Sequence, residues 1–519
     1  MKGKRIVCTA LAAAFAFSSL LTLTGCGQNK PIRLRIYNWE EYIDEGGEGS
    51  YQYDIEENED AQSLIYDFEI WYEETYGTPV TVEYSTFGTN EDMYNQLKLG
   101  DQYDLICPSD YMIMKLAAED MLEPFTDDFF DTENELNYYV ANLSPYIKDV
   151  FDSNTVTLSS TGAEHSWSEY AAGYMWGTTG FIYNPEYVST DELDYWDAMI
   201  DPAYANKVTT KDNVRDSYFV GTAILYQDEL LALRDRYQKG EMDSAAYNLA
   251  LTEIMNRTDE ETVAKVQDIL LEMKDNIYGF ETDTGKSDMV KGIIWLNFAW
   301  SGDAVYAIDL AEYGEGDEEL SEEEATYLNY YVPEECANLW FDGWVMPKGA
   351  QVEAAQAFIN FLSRPDNVVR NMYYIGYTSV IAADEVYDYV EYTYGVEEGD
   401  EADAVEYDLS YFFGKDAVLL TYEDQLERQL YAQYPTEEVM RRCAVMDYFD
   451  DDANERINEL WTKVKGSTLD AWAIAVICVG VVAVAAFLLS VKFGGKINWF
   501  RRKPKKGYKL VDQKPYRHE

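Results

Sequence analysis

Residues 471–491 read AWAIAVICVGVVAVAAFLLSV, a run of 21 positions without a charge. At about 1.5 Å per residue a helix of this length reaches about 31 Å, the depth of a bilayer core. The run leads straight into KFGGKINWFRRKPKKGYKL, and residues 492–519 carry ten Lys and Arg against Asp512 and Glu519 alone. A basic flank of this kind marks the cytoplasmic side of a membrane span. The expectation is therefore one C-terminal transmembrane helix with a basic cytoplasmic tail, with Trp472 and Trp499–Phe500 near the two interfaces. The rest of the chain must fold on the opposite side.

The N-terminus agrees with that topology. Lys2, Lys4 and Arg5 precede an apolar run from Ile6 that ends in small residues, so residues 1–26 read as an export signal. Leu23-Thr24-Gly25-Cys26 is similar to the cleavage and lipidation box of bacterial lipoproteins, which makes Cys26 a candidate lipidation site. The other reading is an ordinary signal peptide with Cys26 incidental. Charge follows the same division. The first 26 residues carry +3, the apolar run nothing and the tail +8, so within the total of -56 residues 27–470 hold -67. Such a surface excludes nucleic acid as a partner, because a phosphate-backbone binder needs a positive face. A disordered acidic polymer is excluded too, since 47% hydrophobic and 15% aromatic residues supply a core.

Metal and nucleophilic chemistry have little to be built from. His165 and His518 are the only histidines, so neither a zinc site nor a histidine triad is expected, and no cofactor is implied. Three of six cysteines belong to the ends of the chain (Cys8, Cys26, Cys478), which leaves Cys107, Cys336 and Cys443. An odd count argues against a disulfide scaffold, although one pair stays open. Cys107, in an apolar run, reads as core.

Between the ends, short apolar runs alternate with helical patterns. Arg33–Trp39 reads as a strand, Ala61–Tyr76 as a helix and Val80–Tyr84 as a strand. Glu91–Leu99 reads as a helix, residues 104–108 as a short buried strand and Met112–Asp120 as a helix again. This alternation predicts an α/β lobe with a largely parallel sheet, in which ligands sit at strand ends such as Ser109-Asp110-Tyr111. A second set follows: Tyr174–Tyr183 crosses into it, Tyr218–Glu253 supplies helices, and Ile293–Trp300 and Leu339–Met346 read as strands. Gln351–Leu362 is a helix stopped by Ser363-Arg364-Pro365, and Met446–Val464 is a final helix. Residues 311–326 hold eight acids and 381–410 eleven, with no base in either. These stretches read as solvated insertions, with calcium binding or cation concentration as the other readings; no EF-hand spacing occurs.

The ordered motifs YNWEEY, CPSDY, MWGTTGFIYN, NVRD, WSGD, WFDG and IGY resemble those of the spermidine/putrescine-binding family, the extracellular receptors of polyamine ABC importers. The resemblance covers about 31–465, apart from acidic insertions near 45–60, 311–328 and 381–410. It implies a two-lobed, periplasmic-binding-protein-like α/β fold with an interlobe cleft. Residues 31–175 and 341–385 would form one lobe, 176–340 and 386–465 the other. It also implies a polyamine ligand and, as partners, ABC permease subunits in the membrane driven by a cytoplasmic ATPase. A polyamine needs apolar walls for its methylenes, and carboxylates or aromatic faces for its ammonium groups.

The resemblance assigns site residues one by one. Trp39 and Tyr42 wall the cleft, with Glu40 and Glu41 as carboxylates at its mouth. Ser109 and Tyr111 take the strand-end binding positions, Trp300 and Trp340 pack on methylenes, Asp342 binds an amine and Tyr377 faces the ligand. Spermidine-preferring members carry Asp-x-Arg-Glu where this chain reads Asn213-Val214-Arg215-Asp216, which loses one charge and shortens another side chain. Trp300-Ser301-Gly302-Asp303 resembles the WxGD of putrescine-preferring members, so Asp303 with Asp342 implies a two-ended diamine site and putrescine is slightly favoured. Asp216 or Glu41 could still serve a third nitrogen. Cys336 and Cys443 both fall near this cleft, as a bridge or as two separate buried thiols. A receptor for another cationic amine, an extracytoplasmic hydrolase and a sensor are the competing functions. Carboxylate pairs suit a hydrolase, but no activated nucleophile accompanies them.

Overall fold

The computed structural model describes residues 30–466 apart from 283, 315–324, 398, 400, 401, 403 and 415. The export signal, Cys26, the 471–491 run and the basic tail lie outside the described residues. Among the described residues no helix is long and apolar enough to cross a membrane.

Among the described residues the main sheet has twelve strands, eight of them in its linear path: β1 (Ile32–Trp39), β2 (Val80–Phe87), β3 (Leu105–Ile106), β4 (Ala171–Tyr183), β5 (Val208–Lys211), β6 (Gly279–Glu281), β7 (Leu296–Trp300) and β8 (Ala337–Pro347). Their order across the sheet is β2-β1-β3-β8-β4-β7-β5-β6. β1 runs parallel to β2 and β3, and β5 runs parallel to β6 and β7. The centre departs from the expected parallel arrangement, because β4 is antiparallel to both β8 and β7, and β3 is antiparallel to β8. The reason is length and burial. β4 and β8 are buried at every position, and their antiparallel pairing joins the two parallel strand groups. Residues 171–175 of β4 face β8 beside β3, whereas 179–183 face β7. A fully buried strand has no polar alternation, so its sequence carries no sign of direction.

Local chemistry sets the helix ends. Leu64–Tyr76 starts later than its apolar pattern because the Ser63 hydroxyl caps Tyr66 N–H, and Gly77 ends it at φ 68°. The span expected to be helical after Tyr218 holds three helices, Val214–Leu225, Gln227–Gln238 and Ser244–Met255. Ser363-Arg364-Pro365 joins helices instead of only stopping one: Val352–Leu362 ends there, and Pro365 opens Pro365–Ile375 from its first turn. The final helix starts at Asp451, five residues later than expected. Part of the 381–410 stretch is folded. Asp384–Tyr394 is a helix, its Tyr389 ring meeting Tyr51, and Val405–Asp408 pairs with Val418–Thr421.

Cys107, Cys336 and Cys443 are free, buried thiols. The bridge between Cys336 and Cys443 is not formed. Cys443 pairs in register with Ala337, and the two thiols donate to separate carbonyls, Cys336 to Ala337 and Cys443 to Val439.

Candidate functional site

A cleft of about 770 Å³ opens where the C-terminal ends of β1 and β7 approach the middle of β8. Its lining includes Trp39, Glu40, Tyr42, Ser109, Tyr111, Asp216, Trp300, Asp303, Trp340, Asp342 and Tyr377, and therefore gathers every ligand position implied by the sequence. Those positions come from segments up to 338 residues apart, from Trp39 to Tyr377.

Asp342 sits at the centre. β8 pairs regularly with β4 except for a register shift between Asp342 and Gly343. A bulge of this kind re-aims a side chain. The Asp342 carboxylate accepts Ser109 Oγ–H at 2.7 Å on Oδ1 and Tyr42 O–H at 2.8 Å on Oδ2. Among the described residues no Lys or Arg pairs with it. Burial raises its pKa to about 6, against the opposing pull of the two hydroxyl donors. Ser109 stands at the N-cap of helix Asp110–Ala118 but makes no side-chain cap, because its hydroxyl is committed to Asp342. Asn90 fixes it from behind, donating to Ser109 Oγ at 3.1 Å and accepting Ser109 N–H at 3.1 Å.

The walls are aromatic. Trp39 tilts against Phe87, Tyr42 meets Tyr377 edge-on at 5.6 Å, and Tyr377 meets Trp340 at 5.4 Å. Gly376, left-handed at φ 73°, turns the chain so that Tyr377 enters the cleft. The Tyr377 ring lies flat on Gly302, where a Cβ would come within 2.5 Å of three ring atoms. That close approach explains the glycine in Trp300-Ser301-Gly302-Asp303. Tyr111 is a partner more than a wall: the Arg215 guanidinium covers its ring at 4.3 Å, and its hydroxyl donates to Glu91. Glu40 and Glu41 are exposed at the rim, Glu41 with φ 51°.

The opposite end is more crowded than the sequence suggests. Asp303 accepts Lys211 Nζ–H at 2.9 Å, Lys286 Nζ–H at 3.1 Å and Tyr377 O–H at 3.2 Å. Burial opposes its ionisation, yet the two lysines prevail and hold its pKa below the ordinary carboxylate value. Asp216 is buried beside Trp300, and burial lifts its pKa to about 6 against Lys211 and a hydrogen bond from Trp300. Asn213, which replaces an acid of the related pattern, accepts Arg215 N–H and Asp216 N–H and so caps helix Val214–Leu225.

Sequence reading missed Lys211, Glu281, Lys286, Asn90 and Asn338. None belongs to a motif, and only folding of β5, β6 and β8 brings Lys211, Glu281 and Asn338 to the cleft. Two buried acceptors in the lining, Asp110 Oδ2 and Asn338 Oδ1, have no hydrogen-bond partner among the described residues. Among the described residues, ten acidic and three basic side chains line the space. Among the described residues no cluster of three or more His, Cys, Asp or Glu could hold a metal ion.

Residues 63–396, more than half of the chain, match the family of bacterial extracellular solute-binding proteins. The chain belongs to this family. It is a family of solute-binding proteins, not of enzymes. The spermidine/putrescine-binding periplasmic protein of Salmonella typhimurium is 25% identical over 348 residues, 66% of this chain and 76% of its own. A putrescine-binding periplasmic protein of Pseudomonas aeruginosa is 23% identical over 470 residues, 89% and 99%. In structure the chain resembles a spermidine/putrescine ABC transporter substrate-binding protein from Streptococcus pneumoniae, with 23% identity, a TM-score of 0.51 and coverage of 84% and 98%. It also resembles a Treponema pallidum lipoprotein, with 17% identity, a TM-score of 0.52 and coverage of 83% and 99%. The fold is accordingly the two-lobed α/β fold of periplasmic binding proteins.

Proposed function

We propose that this protein is an extracytoplasmic receptor that captures a polyamine, putrescine slightly favoured over spermidine, and delivers it to an ABC-type permease. One observation carries the reading. Asp342 is a buried carboxylate, supported by two hydroxyl donors and faced by no described cation, at the centre of a cage of tyrosine and tryptophan. Such a site is complementary to an ammonium group on an aliphatic chain. The orphan acceptors on Asp110 and Asn338 are further partners for a donor-rich ligand. The excess of acids in the lining disfavours anions, and the names of the relatives point to the same solutes. A receptor for a different cationic amine fits the same cleft, and the lysines on Asp303 favour keeping that second reading.

The proposal extends to the whole chain. Lobes of 31–175 with 341–385 and of 176–340 with 386–465 close on the ligand, β4 and β8 crossing between them and the 384–394 helix at their junction. Lipid at Cys26 and the 471–491 span hold the receptor beside its permease, with residues 492–519 in the cytoplasm. Tethering raises the effective concentration of the loaded receptor.

Thermal unfolding of the full chain tests the reading. A ligand at 100 times its dissociation constant stabilises the native state by about 2.7 kcal/mol, so putrescine or spermidine is expected to raise Tm by several degrees. The uncharged isostere 1,4-butanediol should leave Tm unchanged. No shift with any amine, or an equal shift with the diol, contradicts the reading. The effect also depends on pH. Asp342 and Asp216, both at about 6, must be ionised to receive a cation, so affinity is expected to be flat above about pH 7 and to fall below about pH 6. Proton release on binding, read from calorimetry in buffers of different ionisation enthalpy, should appear near pH 6 and vanish at pH 8.

A further inference from the structure

The Asp303 end of the cleft already contains an ammonium group. Lys211 is 1% exposed, and its Nζ donates to Asp303 Oδ2 at 2.9 Å and to the Thr282 carbonyl at 2.9 Å, with Glu281 Oε1 at 3.4 Å. The same nitrogen stands 4.4 Å from the centre of the Trp300 ring. Two carboxylates, a carbonyl and an indole face are what a bound ammonium requires. Lys211 thus occupies the place that a diamine's second nitrogen would take. Asp342 contrasts with it, having hydroxyl donors only.

Building on the polyamine reading, we propose that Lys211 is an internal competitor for the second ammonium subsite and a specificity-determining residue of the cleft. The first ligand ammonium engages Asp342. A second, reaching toward Asp303, meets the resident charges of Lys211 and of Lys286, which pairs with Asp303 Oδ1 at 3.1 Å. The lysine is held in place because displacing it would strip a buried charge of three partners. Asp216, which also lines the cleft and feels the Lys211 charge, is an alternative carboxylate. The consequence is selectivity: the resident lysine narrows the gain that a diamine has over a monoamine of equal length.

The test is calorimetric titration of the full chain with butylamine, putrescine and spermidine, in the native protein, in Lys211→Met and in Lys211→Met combined with Glu281→Gln. Methionine keeps the stem and removes the charge. The double variant also removes a carboxylate left in excess, which guards against misfolding of the single one. The native protein is expected to prefer putrescine to butylamine by less than about tenfold, and the variants to widen that ratio by about tenfold or more, the value of one charge-assisted contact. Amine binding with the same ratio in both variants, or a variant that loses putrescine selectively, overturns the role of Lys211 alone. Absence of binding by all three amines to native protein and variants overturns the polyamine reading, and the proposal with it.

Discussion

Asp342→Asn is expected to lower putrescine affinity by about two orders of magnitude while stabilising the ligand-free protein. Truncating one partner of a buried, hydrogen-bonded charge pair costs about 2–5 kcal/mol, and Asp342 is the carboxylate that no described cation satisfies. The stability effect has the opposite sign. The folded pKa is raised from 3.8 to about 6, so the native state holds this proton more tightly than the unfolded chain. The stabilisation from that proton is lost as pH rises from about 4 to about 6, because the buried carboxylate must ionise. Two pKa units correspond to about 3 kcal/mol at most. Asparagine carries no charge at any pH, so its advantage should be small near pH 4 and reach about 1–3 kcal/mol above pH 6, as judged by urea unfolding. An unchanged putrescine affinity, or a variant less stable than the native protein at pH 8, contradicts this account. The site then illustrates a general trade: a carboxylate kept ready for a cation is held at the expense of the empty fold.

Arg370→Met is expected to destabilise the protein by about 3–5 kcal/mol, the usual cost of leaving one member of a buried ion pair alone. Arg370 lies in helix Pro365–Ile375 and is 4% exposed. Its Nε donates to Asp44 at 3.1 Å, Nη1 to Asp67 at 2.8 Å and Nη2 to the Gln62 carbonyl at 2.8 Å. Asp44 is fully buried; its backbone N–H also donates to Asn371. This arginine therefore joins the segment after Tyr42 to the helix before Tyr377, and so sets the two tyrosines that meet edge-on in the cleft. Chemical denaturation should show the loss, and Arg370→Met with Asp44→Asn should recover part of it, since the orphaned carboxylate disappears. A loss below about 1 kcal/mol, or no recovery in the double variant, would show that the pair is not integral to the fold.

The alternation of strand and helix was legible from the sequence because its amphipathic helices bury one face and its strands end in turn residues. The direction of β4 and β8 was not. Both are uniformly buried, and uniform burial erases the periodicity that reveals how a strand is placed. The cleft itself could be read through aromatic residues next to carboxylates, as in YNWEEY and WFDG, whose members Trp39, Tyr42, Trp340 and Asp342 do line it. Lys211 was invisible for a simple reason: its partner Asp303 is 92 residues away, and a lysine after Val208-Thr209-Thr210 has no local signature. Asn213 looked like a weakened ligand position and is a helix cap. Asp303 looked like an open amine receptor and carries two lysines. Residue type and order thus located the chamber, whereas the pairing of charges inside it depended on contacts that only the folded chain defines.

Calorimetric titration of the full chain with putrescine, cadaverine, spermidine and spermine at near-physiological salt and pH 7.5 tests the central claim most directly. Saturable one-to-one binding of at least one of these amines is the predicted result, weakened when the solution is taken below pH 6. Absence of binding by all four would contradict it.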